Sequence, residues 1–136
     1  MVYRDYLKKQ IDELGRVLGK LLADLISLKT QGKTEQGIEI VNQTLKTELD
    51  LDLSEILSLS EEEIIEKLEK MTPDYKLIGV YADIIYEMLD DLNYEKAKKA
   101  DLLKKILALY EHVEKKSSTF SFENHTKIEL IKKELQ

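Results

Sequence analysis

The chain has 136 residues, the length of one domain, and a net charge of −6, which argues against a nucleic-acid partner because phosphates call for a basic face. It contains no cysteine, so disulfides, thiolate zinc sites and cysteine nucleophiles are excluded. Hydrophobic residues make up 43% and charged residues 35%, with one proline and no tryptophan, a composition that reads as all-α.

The opening MVYRDYLKKQIDEL carries charges throughout, where a signal peptide needs an uninterrupted apolar core. No apolar run approaches the ~18–20 residues that span a bilayer, so no membrane partner is expected and a cytoplasmic setting is. Leu7, Ile11, Leu14, Leu18, Leu21, Leu25 and Leu28 alternate spacings of four and three, a heptad seam that predicts a helix from Asp5 to Lys29. Leu22 and Ile26 widen the seam on one side. Gly15 and Gly19 stand in line with them, and glycine costs roughly 1 kcal/mol inside a helix, so close packing by another backbone is expected there.

Gln31–Gly32–Lys33 is the first break. Thr34 is the expected cap of a second helix running to Glu48, with Ile38, Val41 and Leu45 on its core face. The short link makes the first two helices an antiparallel hairpin. Leu49–Leu59 starts by alternating apolar and acidic residues, yet no second strand exists to pair with it, so a loop with one helical turn at Ser54–Leu57 is expected. Ser60 with Glu63 forms a capping box before Ile64 and Ile65 and opens a third helix ending near Met71.

The stretch from Pro73 to Leu92 is the centre of the chain. Leu77, Ile78, Tyr81, Ala82, Ile84, Ile85, Tyr86, Met88, Leu89 and Leu92 fill roughly 200° of a helical wheel, more than one neighbour covers. Thr72 is its expected N-cap and Pro73 its first residue. A tight turn at Leu92–Asn93–Tyr94 leads to a fifth helix, Tyr94–Lys116, whose core face holds Ala100, Leu102, Leu103, Ile106, Leu107, Tyr110 and Val113. Phe120 and Ser121 then start a last helix that buries Ile128, Ile131 and Leu135.

These elements predict about six helices in stacked antiparallel hairpins within a single domain, 1–136: an N-terminal hairpin over 1–50 and tetratricopeptide-like helices over 60–136. The YEKA at Tyr94–Ala97 and the short linker before it resemble a tetratricopeptide hairpin. The Gly–x–x–Tyr spacing is not kept after Gly79, and Asp101 stands where an aromatic belongs. The packing style is therefore expected, without a true repeat array. The opening DYLKKQIDELGRVLGKLL, with GIEIVNQTLKTEL and LSLSEEEIIEKL after it, resembles a family of small bacterial all-helical proteins, a domain of unknown function. Its most specific part is Asp5–Tyr6 with Leu14–Gly15–Arg16. The resemblance implies a fold style and a bacterial cytoplasmic setting, and carries over no catalytic residue.

No side-chain constellation points to catalysis or to a cofactor. Gly15 to Lys20 imitates a phosphate-binding loop but is one residue short, lacks Ser or Thr after the lysine and lies within a helix. Asp83, Glu87, Asp90 and Asp91 form an acidic stripe. Metal-binding bundles also need Glu-x-x-His pairs, and His112 projects opposite the apolar stripe of its helix, so a solvated face is the reading. His125 is expected to be partly buried, with no nucleophile to serve.

Seven tyrosines against two phenylalanines is the compositional oddity. Tyr75 and Tyr86, on one edge of the central helix with Ala82 and Leu89, form either a recognition surface or a core cap with hydroxyls in water. Tyr75, Tyr86 and Leu89 are the candidate partner-binding residues. Tyr3, Tyr6 and Leu7 are the candidate self-association residues, because a shorter second helix leaves part of the first seam to a second copy or to the later helices. The chain thus reads as a non-enzymatic protein-interaction or assembly module with a protein partner, no catalytic residue, no metal and no cofactor. The alternative is a bundle holding a small apolar ligand between the first, central and fifth helices. An enzyme whose site leaves no mark in the sequence is the third reading.

Overall fold

Short polar side chains start most of the helices, each by accepting a hydrogen bond from a backbone amide that the helix itself cannot satisfy. The computed structural model describes residues 2–50, 52–72, 74–89, 91–117 and 121–136; the side chains of 2–7, 49, 53 and 57 lie outside the description. Among the described residues there are seven helices and no strand: α1 (Val2–Thr30), α2 (Thr34–Leu49), α3 (Leu53–Ser58), α4 (Glu61–Met71), α5 (Tyr75–Leu89), α6 (Lys96–Lys116) and α7 (Phe122–Leu135). The seventh is α3, the helical turn expected within the 49–59 loop.

The Asp52 carboxylate caps α3 by accepting from the Ser54 amide at 3.0 Å. Ser60 and Glu63 form the expected capping box, with both bonds at 3.1 Å. Ser121 caps α7 by accepting from the Asn124 amide at 3.2 Å; Phe120, expected beside it, lies outside the described residues. Two expected caps are corrected. Thr34 is the first residue of α2, and Lys33 holds the cap position without a side-chain bond. Thr72 closes α4, and its hydroxyl accepts from the Asp74 amide at 3.1 Å. Asp74 does the capping of α5, its carboxylate accepting from the Lys76 amide at 3.0 Å. Pro73, expected as the first helical residue, lies outside the described residues.

Gly32, at φ +76°, turns the chain between α1 and α2, a left-handed conformation that glycine adopts without strain. The two helices pack as a hairpin with little room at Gly37: a Cβ there would stand 3.1 Å from Leu25 Cδ1 and 3.4 Å from Leu28 Cβ. Gly19 is corrected, since it is exposed and a Cβ added to it would meet nothing within 4 Å among the described residues. A Cβ added at Gly15 would stand 3.1 Å from Leu77 Cδ2.

As the width of its apolar arc requires, α5 is packed on two sides, by α1 and by α6, and α4 also touches it. Ala82, Ile84 and Ile85 are fully buried. It ends at Leu89 rather than Leu92, and α6 begins at Lys96 rather than Tyr94, because Asn93 at φ +53° carries the turn. A single apolar cluster takes side chains from all seven helices. Within it Lys105 is only 5% exposed. Its ammonium donates to the Ile56 carbonyl at 3.3 Å and pairs with Asp101 at 2.9 Å, which attaches α3 to α6.

Candidate functional site

Three helices leave a groove on the surface: α1 and α7 form its walls and α5 its floor. It has a volume of about 260 Å³ and opens to solvent along one side. Leu22 and Ile26, one turn apart on α1, face Leu130 and Ile131 of α7, with Tyr86 of α5 beneath. Ile26 is 45% exposed and Leu130 51%, two of the few large apolar side chains left open to water. They stand out because α7 buries Ile128 and Ile131 and leaves Leu130 outside that stripe.

A polar bridge closes one end of the groove. Tyr110 of α6 donates its hydroxyl proton to the Asp83 carboxylate, and the Lys127 ammonium donates to the same oxygen at 2.9 Å. Lys127 also pairs with Glu123 at 3.4 Å and lies 5.6 Å from the centre of the Tyr110 ring. Burial pushes the Tyr110 hydroxyl well above its ordinary pKa, and the bond to Asp83 pushes it further. The Asn124 amide donates to the Tyr110 carbonyl at 3.1 Å and fixes the start of α7 on α6.

At the other end Lys29 of α1 binds the carbonyl of Glu87 at 2.7 Å and its carboxylate at 3.2 Å, and lies 3.4 Å from Asp91. Burial alone would lower the Lys29 pKa, but the bond to Glu87 and the charges of Glu87 and Asp91 outweigh it, and the net shift is upward. The acidic stripe is therefore not simply solvated: its members act as anchors for α1 and α7. Asp90 lies outside the described residues. Among those described, no group of three His, Cys, Asp or Glu side chains is placed to hold a metal ion.

The candidate partner-binding residues separate. Leu89 is corrected to a core residue, 3% exposed, and its neighbour Ala82 is fully buried. Tyr86 is half-buried in the groove floor and donates to Glu134 at 2.7 Å. Tyr75, also half-buried, lines a second hollow of about 460 Å³ between α5, α6 and the start of α7, on the far side of the Asp83–Lys127 bridge. The two tyrosines thus share a helix edge but not a site.

Both histidines are also corrected. His112 faces α4, its side chain only 12% exposed and its Nε2 2.8 Å from Glu69. His125 is 47% exposed, with Glu114 at 3.4 Å and Glu129 at 3.9 Å. The self-association residues Tyr3, Tyr6 and Leu7 fall in the first turns of α1, where side chains lie outside the described residues. Further along, the α1 seam is covered by α5 as well as α2: Leu18, Leu21 and Leu25 are buried.

Sequence reasoning picked out Leu22 and Ile26 as an excess of apolar surface, but not Leu130 or Lys127. Nothing local marks those two, because their partners lie on helices far away in the chain. Among the described residues no helix is long and apolar enough to cross a membrane. No protein-family model, curated protein or solved structure matches the chain, so the resemblance to small bacterial helical proteins rests on the residue pattern alone.

Proposed function

We propose that the protein is a non-enzymatic interaction module, a set of helical hairpins packed in tetratricopeptide-like style, whose docking surface is the groove between α1 and α7. The observation that carries this reading is the pair Ile26 and Leu130, exposed on opposite walls of one concavity. Apolar side chains in water on both sides of a groove lose free energy when a partner's side chains fill it. The rival reading, a small apolar ligand enclosed by the bundle, fits less well. The groove's volume of about 260 Å³ lies below the ~300–1,000 Å³ of enclosing ligand sites, and the larger hollow beside Tyr75 is lined mostly by polar and charged side chains. A homodimer seated on the first turns of α1 and a bacterial cytoplasmic setting remain part of the proposal on sequence grounds.

The absence of cysteine makes the test clean. Ile26→Cys and Leu130→Cys variants carrying a photoreactive label in the source cells should crosslink to the same polypeptide. Ile40→Cys, equally apolar but on α2 and 37% exposed, should not. Crosslinks from Ile40→Cys alone, or from none of the three, would overturn the reading.

A further inference from the structure

We propose that the segment taken by the groove is a basic amphipathic helix. Its apolar side chains enter between Ile26 and Leu130, and its lysine or arginine meets the carboxylates beside them. This rests on the docking role proposed above and adds the chemistry of the partner.

Charge at the groove decides it. Asp83, Glu87 and Glu123 line the groove against the single ammonium of Lys127. Glu134 borders it through the Tyr86 hydroxyl. Lys127 is already shared between Asp83 and Glu123, and Lys29, at the other end, is shared between Glu87 and Asp91. Carboxylates therefore outnumber the cations that serve them. Glu123, with 83% of its side chain exposed, retains most of its hydration and is open to a second cation. An acidic partner would meet like charge here, on a chain that is already at −6 overall.

The apolar side of the partner follows from the walls. Leu22 and Ile26 stand one turn apart, and so do Lys127 and Ile131 opposite them, so a helix lying between α1 and α7 presents its own i, i+3, i+4 and i+7 side chains to both. An extended strand has no equivalent here, because no described strand offers an edge to pair with. The groove holds inserted side chains rather than a whole molecule, which suits knobs projecting from a helix surface.

The test uses the full chain and two alanine-based helical peptides with leucine at i, i+3, i+4 and i+7. One carries flanking lysines and the other glutamates in their place, with binding read by fluorescence anisotropy. The lysine peptide is expected to bind about tenfold more tightly or better, with a preference that shrinks as salt rises. Ile26→Ser and Leu130→Ser should each weaken it, and Ile40→Ser should not. Glu123→Gln together with Glu134→Gln should narrow the ratio between the two peptides. Equal affinities, with both peptides weakened by Ile26→Ser, would overturn the basic partner and leave the docking groove standing. Failure of the lysine peptide to bind, or binding indifferent to Ile26→Ser and Leu130→Ser, overturns the inference; the crosslinking test then judges the docking role separately.

Discussion

Tyr81 and Tyr110 sit on two sides of the same core, 1% and 2% exposed, and differ in what meets the hydroxyl. On the α7 side, Tyr110 donates to Asp83, which Lys127 also holds, so the phenol, the carboxylate and the ammonium satisfy one another. On the α3–α4 side, the Tyr81 hydroxyl has no hydrogen-bond partner among the described residues. Burial raises the pKa of both; Tyr81 is raised further by the Glu55 charge and Tyr110 by its bond to Asp83. The comparison shows that a tyrosine can enter a helical core for its ring alone. What its hydroxyl contributes depends on whether the covering helix brings a partner.

The largest expected effect tests whether the two sides share one body. Ile85, fully buried on α5, belongs to the cluster that both rings join. Ile85→Ala should cost about 2–5 kcal/mol in a denaturant titration; a loss under about 1 kcal/mol would mean that the two sides are stabilised separately. Next, Asp83→Ala removes the acceptor of Tyr110 and the partner of Lys127 together, leaving a buried phenol without a bond, and should cost about 1–3 kcal/mol.

Alkaline titration addresses both tyrosines at once. Each folded-state pKa is raised above the ordinary 10.0, so the stabilisation is fully present below pH 10 and is lost as pH rises through and beyond it. The slope should reach about 1.4 kcal/mol per pH unit for each tyrosine, and each Tyr→Phe variant should remove its own share. At neutral pH the two variants should part company. Tyr110→Phe should cost about 1 kcal/mol, whereas Tyr81→Phe should cost nothing or raise stability, because it deletes a polar group without a partner among the described residues. Equal losses from both would end the distinction.

The smallest effect belongs to α1. Gly19→Ala should raise stability by somewhat under 1 kcal/mol, seen as a higher melting temperature, since the added methyl meets nothing. Gly37 is the contrasting case, where Leu25 and Leu28 already crowd the Cβ position.

That pair of glycines shows where sequence reading stops. The seam from Ile11 to Leu28, the wide arc of α5 and the Ser60–Glu63 box are local periodicities or fixed spacings, so they can be read along the chain and the helices fall close to their expected bounds. A glycine in a helix says only that a side chain is missing; which of Gly19 and Gly37 a neighbour approaches depends on how α2 crosses α1. The candidate site obeys the same limit. Ile26 was legible as surplus apolar surface. The Asp83–Lys127 bridge joins helices 44 positions apart, in a chain with 21 lysines and arginines to choose from. Leu89 and His112 went astray for the converse reason: helical angle alone does not tell which neighbouring helix arrives at that angle.

The six-residue α3 is too short to sustain itself as a helix; among the described side chains, the buried Ile56, the Lys105 bond to the Ile56 carbonyl and the Glu55–Lys67 pair at 2.6 Å hold it. Its amides are therefore expected to exchange with solvent before those of the other helices, which a hydrogen-exchange measurement would show. Opening breaks the Lys105 bond to the Ile56 carbonyl but lets the Tyr81 hydroxyl reach water. The hydroxyl that the closed core leaves without a described partner thus favours release of the helix that covers it.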